Sequence, residues 1–234
     1  RNRQISLAYP FKRVEIQRRQ LPPRAAEIHG GVNTSRVHHH IADREHDLPG
    51  SAVADMRAFL DSAVIDGDSD ERTMVAAFWQ VRDPGNAGTV IRAADAAGCD
   101  AVIFVDDCVD VLNPKVIRST AGSLFHLPVL AMSTDEFFTW TGDHNMDVWA
   151  ADVYGTEECK PESLPAVLAD KAAVEAPKAV LFGNEARGLE PDILTRCGRI
   201  VSIPLYGKAE SLNLGTSAAV MLMSLSMSGH VERM

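Results

Sequence analysis

Residues 73–105 read TMVAAFWQVRDPGNAGTVIRAADAAGCDAVIFV. Val75-Ala76-Ala77-Phe78-Trp79 is an unbroken apolar run of strand length, and Ala101-Val102-Ile103-Phe104-Val105 is a second. Between them lie a turn centred on Pro84-Gly85 and a helical stretch from about Ala87 to Ala97. The same alternation continues to the end of the chain. Further strands are expected near Leu127–Ala131, Val148–Ala151, Lys178–Phe182 and Ile200–Ile203. Helices are expected over Asn113–Ser119, Ser163–Ala169 and Asn213–Met227, with another running from an N-cap at Thr134 through Trp140. Strands alternating with helices imply parallel pairing covered on both faces. The expected fold class is α/β, with one domain over residues 73–234 and no internal repeat.

Upstream the character changes. Residues 1–72 form a basic, poorly patterned arm, with Pro22-Pro23, Gly30-Gly31 and the triplet His38, His39, His40. A short amphipathic helix is expected over Ala52–Ile65, where Met56, Phe59, Leu60 and Val64 recur at helical spacing. The whole chain of 234 residues carries a net charge of −9. That mean hides an asymmetry: residues 1–24 hold seven bases and one acid, a net of +6, and the remainder carries −15.

Several classes are excluded at this level. No apolar run approaches the ~18–20 residues needed to span a bilayer, and no apolar stretch follows the N-terminal bases as in a secretory signal. Cys99, Cys108, Cys159 and Cys197 are widely spaced, with no CxxC pair. They read as reduced, buried thiols of a cytoplasmic protein. The His triplet has no further ligand at finger spacing, so no metal is expected.

In an open α/β sheet, ligands sit at the loops leaving the carboxyl ends of strands. Three such loops are rich in Gly, Asn and charge. The first is Asp83-Pro84-Gly85-Asn86-Ala87-Gly88, where Asn86 can cap the following helix and Gly88 removes a side chain where that helix meets a neighbour. Arg92 then falls near the second turn, where it could also form a surface ion pair with Asp83 or Asp95. The second loop is Gly183-Asn184-Glu185-Ala186-Arg187-Gly188. Gly183 lets a flat ligand approach the backbone, while Glu185 could hold a cation or cap a helix start. The third runs from Ile203-Pro204 to Ser211-Leu212-Asn213, where Ser211 and Asn213 can cap the closing helix or bond a substrate hydroxyl. Neither a Walker loop nor a GxGxxG fingerprint can be placed on these glycines.

Taken together, the three loops resemble the SpoU/TrmH branch of the SPOUT superfamily. Asp83-Pro84-Gly85-Asn86 with Gly88, Arg92 and Ala94 is similar to its first motif. Phe182-Gly183-Asn184-Glu185 with Gly188-Leu189 is similar to the second, and Ile203-Pro204 with Ser211-Leu212-Asn213 to the third. The resemblance covers about Val75 to Ser228, and it implies that residues 1–72 are either a basic arm or the remnant of an RNA-binding domain. It implies an RNA ribose 2′-O-methyltransferase using S-adenosyl-L-methionine, a C-terminal trefoil knot and a homodimer completing each active site across its interface.

By that resemblance, Gly183, Ile203 and Leu212 contact the cofactor, mainly through the backbone. Arg92 does the catalytic work on the ribose, supported by Asn86, Glu185, Ser211 and Asn213. A guanidinium rarely gives up its proton, so stabilising an oxyanion or clamping a phosphate demands less of Arg92 than acting as a base. The form of the first motif favours rRNA over tRNA. The acidic body would meet phosphate through local bases such as Arg82, Arg92, Arg118 and Arg187. The rival readings are a non-catalytic RNA-binding or assembly module of the same fold, and an α/β enzyme acting on a small molecule.

Overall fold

The computed structural model describes residues 73–230. The basic arm, the His triplet and the helix expected at Ala52–Ile65 lie outside the described residues.

The quoted stretch forms β1 (Met74–Trp79), α1 (Pro84–Ala97) and β2 (Ala101–Val105). The chain continues through α2 (Pro114–Thr120), β3 (Val129–Met132), α3 (Thr134–Asp143) and β4 (Asp147–Ala151). Then come β5 (Glu162–Ser163), α4 (Leu164–Ala169), α5 (Lys171–Glu175) and β6 (Lys178–Phe182). The last elements are α6 (Pro191–Leu194), β7 (Arg199–Ser202) and α7 (Leu214–His230).

The seven strands make one sheet in the order β3-β2-β1-β6-β4-β7-β5. Every pairing is parallel. All residues of β1, β2 and β6 are buried, which explains why these strands read as continuous apolar runs instead of alternating ones. Alternate residues still face opposite ways. Ala76, Phe78, Val102, Phe104, Val180 and Phe182 face one core, closed by α1, α2 and α7. Val75, Ala77, Ile103, Val105, Ala179 and Leu181 face a second core, closed by Phe137 and Trp140 of α3 and Ile193 and Leu194 of α6. The α/β class with helices on both faces is therefore observed.

The helix starts follow cap chemistry and differ from expectation at two points. Pro84 occupies the first turn of α1, where its missing N–H costs nothing. Asp83, not Asn86, is therefore the N-cap, its carboxylate accepting from the Asn86 N–H at 2.7 Å. Arg92 consequently lies one turn further along the helix than expected. Ser133, not Thr134, caps α3, because Glu136 three residues on completes a capping box with it. Gly88 does mark a close approach: an added Cβ would lie 1.9 Å from Ser119 Oγ of α2.

Thr134 has a different partner. At the end of β2, Asp106 accepts from the Thr134 N–H at 2.8 Å, the Thr134 hydroxyl at 2.5 Å and Trp79 Nε1 at 2.9 Å. Burial alone would push this carboxyl up, but the three donors outweigh it and hold it below the usual carboxylate range. A lowered folded value stabilises the fold above the unfolded value, about 3.9, and that stabilisation is lost as pH falls through the folded value. Asp106→Asn is expected to lower the urea midpoint at neutral pH and to flatten its fall on acidification. Urea melts across acid to neutral pH check this, and an unchanged acid slope would count against it.

The thiol expectation holds for Cys99, which is buried, and fails for Cys159, which is exposed. All four are free. Burial pushes the Cys108 thiol up to about 11, and its Sγ accepts from the Val81 N–H at 3.3 Å. Among the described residues, no helix is long and apolar enough to cross a membrane, and no group of three or more His, Cys, Asp or Glu side chains is placed to hold a metal.

Candidate functional site

The chain order of the sheet reverses beside β1. From β1 the chain builds outward to β2 and β3, while β6, β4 and β7 lie on its other side. Loops leaving the carboxyl ends of β1, β6 and β7 therefore gather at a switch point, where open sheets of this kind leave a crevice.

Hydrogen bonds join all three loops. Glu185 Oε1 accepts from the Asp83 N–H at 3.2 Å and from Asn86 Nδ2 at 3.2 Å, and Oε2 accepts from the Arg82 N–H at 3.4 Å. Asn86 Oδ1 in turn accepts from Asn213 Nδ2 at 3.1 Å. Asn213 Oδ1 accepts from the Gly215 N–H at 2.8 Å, anchoring the start of α7. Glu185 thus caps no helix of its own. Its negative charge sits on N–H groups just ahead of α1, where the helix dipole favours it. Asn86, Glu185 and Asn213 are brought together as one unit, and Asn213 does act at the start of the closing helix.

Beside this unit is a cavity of about 420 Å³, within the size range of small-molecule sites, about 300–1,000 Å³. Gly183, Glu185, Ile203, Ser211 and Leu212 line it, with Leu189, Leu205, Leu214 and Met221 adding apolar surface. Gly183 is required by packing. Asn184 and Gly188 form an antiparallel bridge, with N···O distances of 3.0 and 2.9 Å, which folds the loop back on its own start. A Cβ on Gly183 would lie 2.3 Å from the Gly188 carbonyl carbon and 2.5 Å from the Leu189 nitrogen. Those are backbone atoms, so Gly183→Ala must displace the loop. A loss of about 1–3 kcal/mol is expected from such overpacking, and urea denaturation measures it.

Arg92 is placed differently. It is exposed on α1, does not line the cavity, and makes no hydrogen bond or ion pair among the described residues. Neither alternative ion pair forms: Asp83 caps α1, and Asp95 faces His126 Nδ1 at 2.8 Å. Of the other local bases, Arg82 pairs with Asp107 at 2.7 Å. Arg187 donates to Gln80 Oε1 at 2.7 Å and lies 4.0 Å from Glu190. Arg118, like Arg92, has no partner among the described residues.

Gln80 is a site residue that sequence reasoning missed. It adopts φ +50°, which is uncommon for a residue with a side chain. Its carbonyl accepts from Asn184 Nδ2 at 2.7 Å while its side chain holds Arg187, so the end of β1 grips the second loop twice. Asn184 Oδ1 accepts from the N–H groups of Ala186 and Arg187, at 2.9 and 3.2 Å. No local pattern marks Gln80, because both partners are more than 100 residues away along the chain, 104 and 107.

Residues 73–223 match the model of the SpoU rRNA methylase family, and this match takes in every loop just described. The chain belongs to that family. Among curated SpoU-type relatives, it is 36% identical over 149 residues to the 23S rRNA (guanosine(2553)-2′-O)-methyltransferase of Bacillus subtilis, covering 62% of this chain and 54% of that protein. It is 35% identical over 143 residues to the 23S rRNA (uridine(2479)-2′-O)-methyltransferase of Streptomyces viridochromogenes, covering 59% and 47%. The chain thus spans about half the length of these relatives. Among solved structures, it is similar to an AdoMet-bound rRNA methyltransferase from Sinorhizobium meliloti. The TM-score there is 0.61 with 30% identity, covering 73% of this chain and 60% of that one.

Proposed function

We propose that this chain methylates a ribose 2′-hydroxyl in structured RNA with S-adenosylmethionine as methyl donor, and that its substrate is rRNA in preference to tRNA. The observation that carries the reading is the chain Asn213–Asn86–Glu185, which joins the three loops beside a cavity. The 23S rRNA relatives favour rRNA, and the AdoMet-bound neighbour favours this cofactor.

The residues present fit such a ligand. The cavity offers apolar surface at Leu189, Leu205, Leu214 and Met221, with polar groups at Glu185 and Ser211. Gly183, Ile203 and Leu212 would hold the cofactor, mainly through their backbones. Bound there, S-adenosylmethionine supplies an electrophilic methyl group on a sulfonium. What remains for the protein is positioning and charge stabilisation. Arg92 stabilises the negative charge developing on the 2′-oxygen, or clamps the adjacent phosphate. Asn86, Glu185, Ser211 and Asn213 orient the ribose and the loops around it.

Three finer elements complete the reading. A homodimer brings Arg92 of a second copy to the cavity, which is consistent with Arg92 lying unpaired and away from the cavity of its own chain. The segment after β7 and helix α7 form the trefoil knot of the family type. Residues 1–72 grip RNA with their basic arm, in a cytoplasmic protein.

The deciding experiment is tritiated-methyl transfer to total rRNA and total tRNA, followed by mapping of the modified ribose. Incorporation at a single rRNA ribose is the expected result. Tight cofactor binding without incorporation into any RNA would instead establish a non-catalytic module.

A further inference from the structure

The aromatic rings of the described residues are distributed unevenly. Trp79, Trp140 and Trp149 are buried, as are Phe78, Phe104, Phe137 and Phe182. The two described tyrosines do the opposite: Tyr154 is 75% exposed and Tyr206 is 91% exposed. Both lie on loops that contribute to the cavity wall. Tyr154 lines it on the loop leaving β4, and Tyr206 directly follows Leu205, which lines it on the loop leaving β7.

Their presentation is built. Asp152 Oδ1 accepts from the N–H groups of Tyr154 and Gly155, at 2.8 and 2.7 Å. Gly155 follows at φ +67°. On the other loop, Leu205 and Leu212, before and after Tyr206 in the chain, are half-buried and line the cavity.

From this placement we infer that Tyr154 and Tyr206 form a stacking site for unpaired nucleobases beside the cavity. The inference rests on the methyltransferase reading above and specifies how its RNA is held. A ribose within a duplex is flanked by stacked bases, and an enzyme that must reach it gains from receiving the unstacked bases on aromatic faces. Charge supports stacking over phosphate contact as the local grip. Lys160 and Lys208 lie on the same two loops, but Asp152, Glu157, Glu158 and Glu210 outnumber them there, in a body of net −15. Stacking needs no positive field, and every base has a face to offer.

The test uses the full chain and a short unpaired RNA oligonucleotide, with an abasic oligonucleotide of the same backbone as control. Fluorescence anisotropy is expected to show that wild type prefers the base-containing strand, and that raised salt weakens both strands without removing the preference. Tyr154→Ala and Tyr206→Ala should each reduce that preference about five- to a hundredfold, while Tyr→Phe at either position restores it. Cofactor affinity should not change in Tyr206→Ala, because Tyr206 does not line the cavity. Equal binding of the two strands by wild type, or an unchanged preference in both alanine variants, would overturn the inference. Methyl transfer to total rRNA, run in parallel, separates the two readings: base-dependent binding without transfer removes the enzyme and leaves the stacking site, whereas transfer without base dependence does the reverse.

Discussion

Arg92→Ala is expected to slow methyl transfer by about 10²–10³-fold, the usual loss when one donor to a developing oxyanion is removed, while the dissociation constant for S-adenosylmethionine stays within about twofold of wild type. The two effects separate because Arg92 lies outside the cavity lining and has no partner among the described residues. Its removal therefore leaves no protein group unsatisfied. Single-turnover transfer to rRNA and calorimetric titration of the cofactor measure the two quantities. Arg92→Lys keeps the charge and loses the planar fork, so it should recover part of the rate if the group clamps a phosphate. Parallel loss of rate and cofactor affinity would give Arg92 a folding role instead.

Glu185→Ala is expected to act in the opposite pattern, raising the cofactor dissociation constant by about ten- to a hundredfold, the equivalent of one or two lost charge-assisted hydrogen bonds. Its carboxylate accepts from the Arg82 and Asp83 N–H groups, from Asn86 Nδ2 and from Asn184 Nδ2, so four donors lose this acceptor at once. Stability should fall less, by about 1 kcal/mol, because the group is exposed and water replaces part of what is lost. Glu185→Gln should recover most of the affinity. Its remaining carbonyl can keep the two 3.2 Å bonds made by Oε1, and only the longer 3.4 Å contacts of Oε2 are given up. Unchanged cofactor affinity in Glu185→Ala would mean that the loops hold their places without this link.

Part of this arrangement is legible from the amino-acid sequence. Strands β1, β2 and β6 announce themselves because full burial on both faces demands uninterrupted apolar runs. Two cap signals are also present and are easily misread. Pro84 points to a cap at Asp83, and Glu136 points to a cap at Ser133. The order of the sheet is another matter. That β6 inserts between β1 and β4 depends on how whole faces pack, and no local spacing records it. The same holds for Glu185 and Gln80. Each residue type has an unremarkable local explanation, and its partners are assigned only when loops about 100 residues apart are brought together.

The link between Asn213 and Asn86 has a bearing on synthesis. It spans 127 residues, and it is the last of the bonds joining the three loops to find both partners as the chain emerges. A ribosome carrying this chain can expose β1, α1 and the whole Glu185 loop while the cavity still lacks the wall made by Leu205, Ser211 and Leu212. Nascent chains halted before residue 213 would thus hold most of the sheet and none of the completed site. At the ~5–20 residues added per second during translation, the interval between the Glu185 loop and Asn213 lasts on the order of seconds. Cofactor capture would then become possible only once the Asn213 loop has joined the other two and α7 has docked.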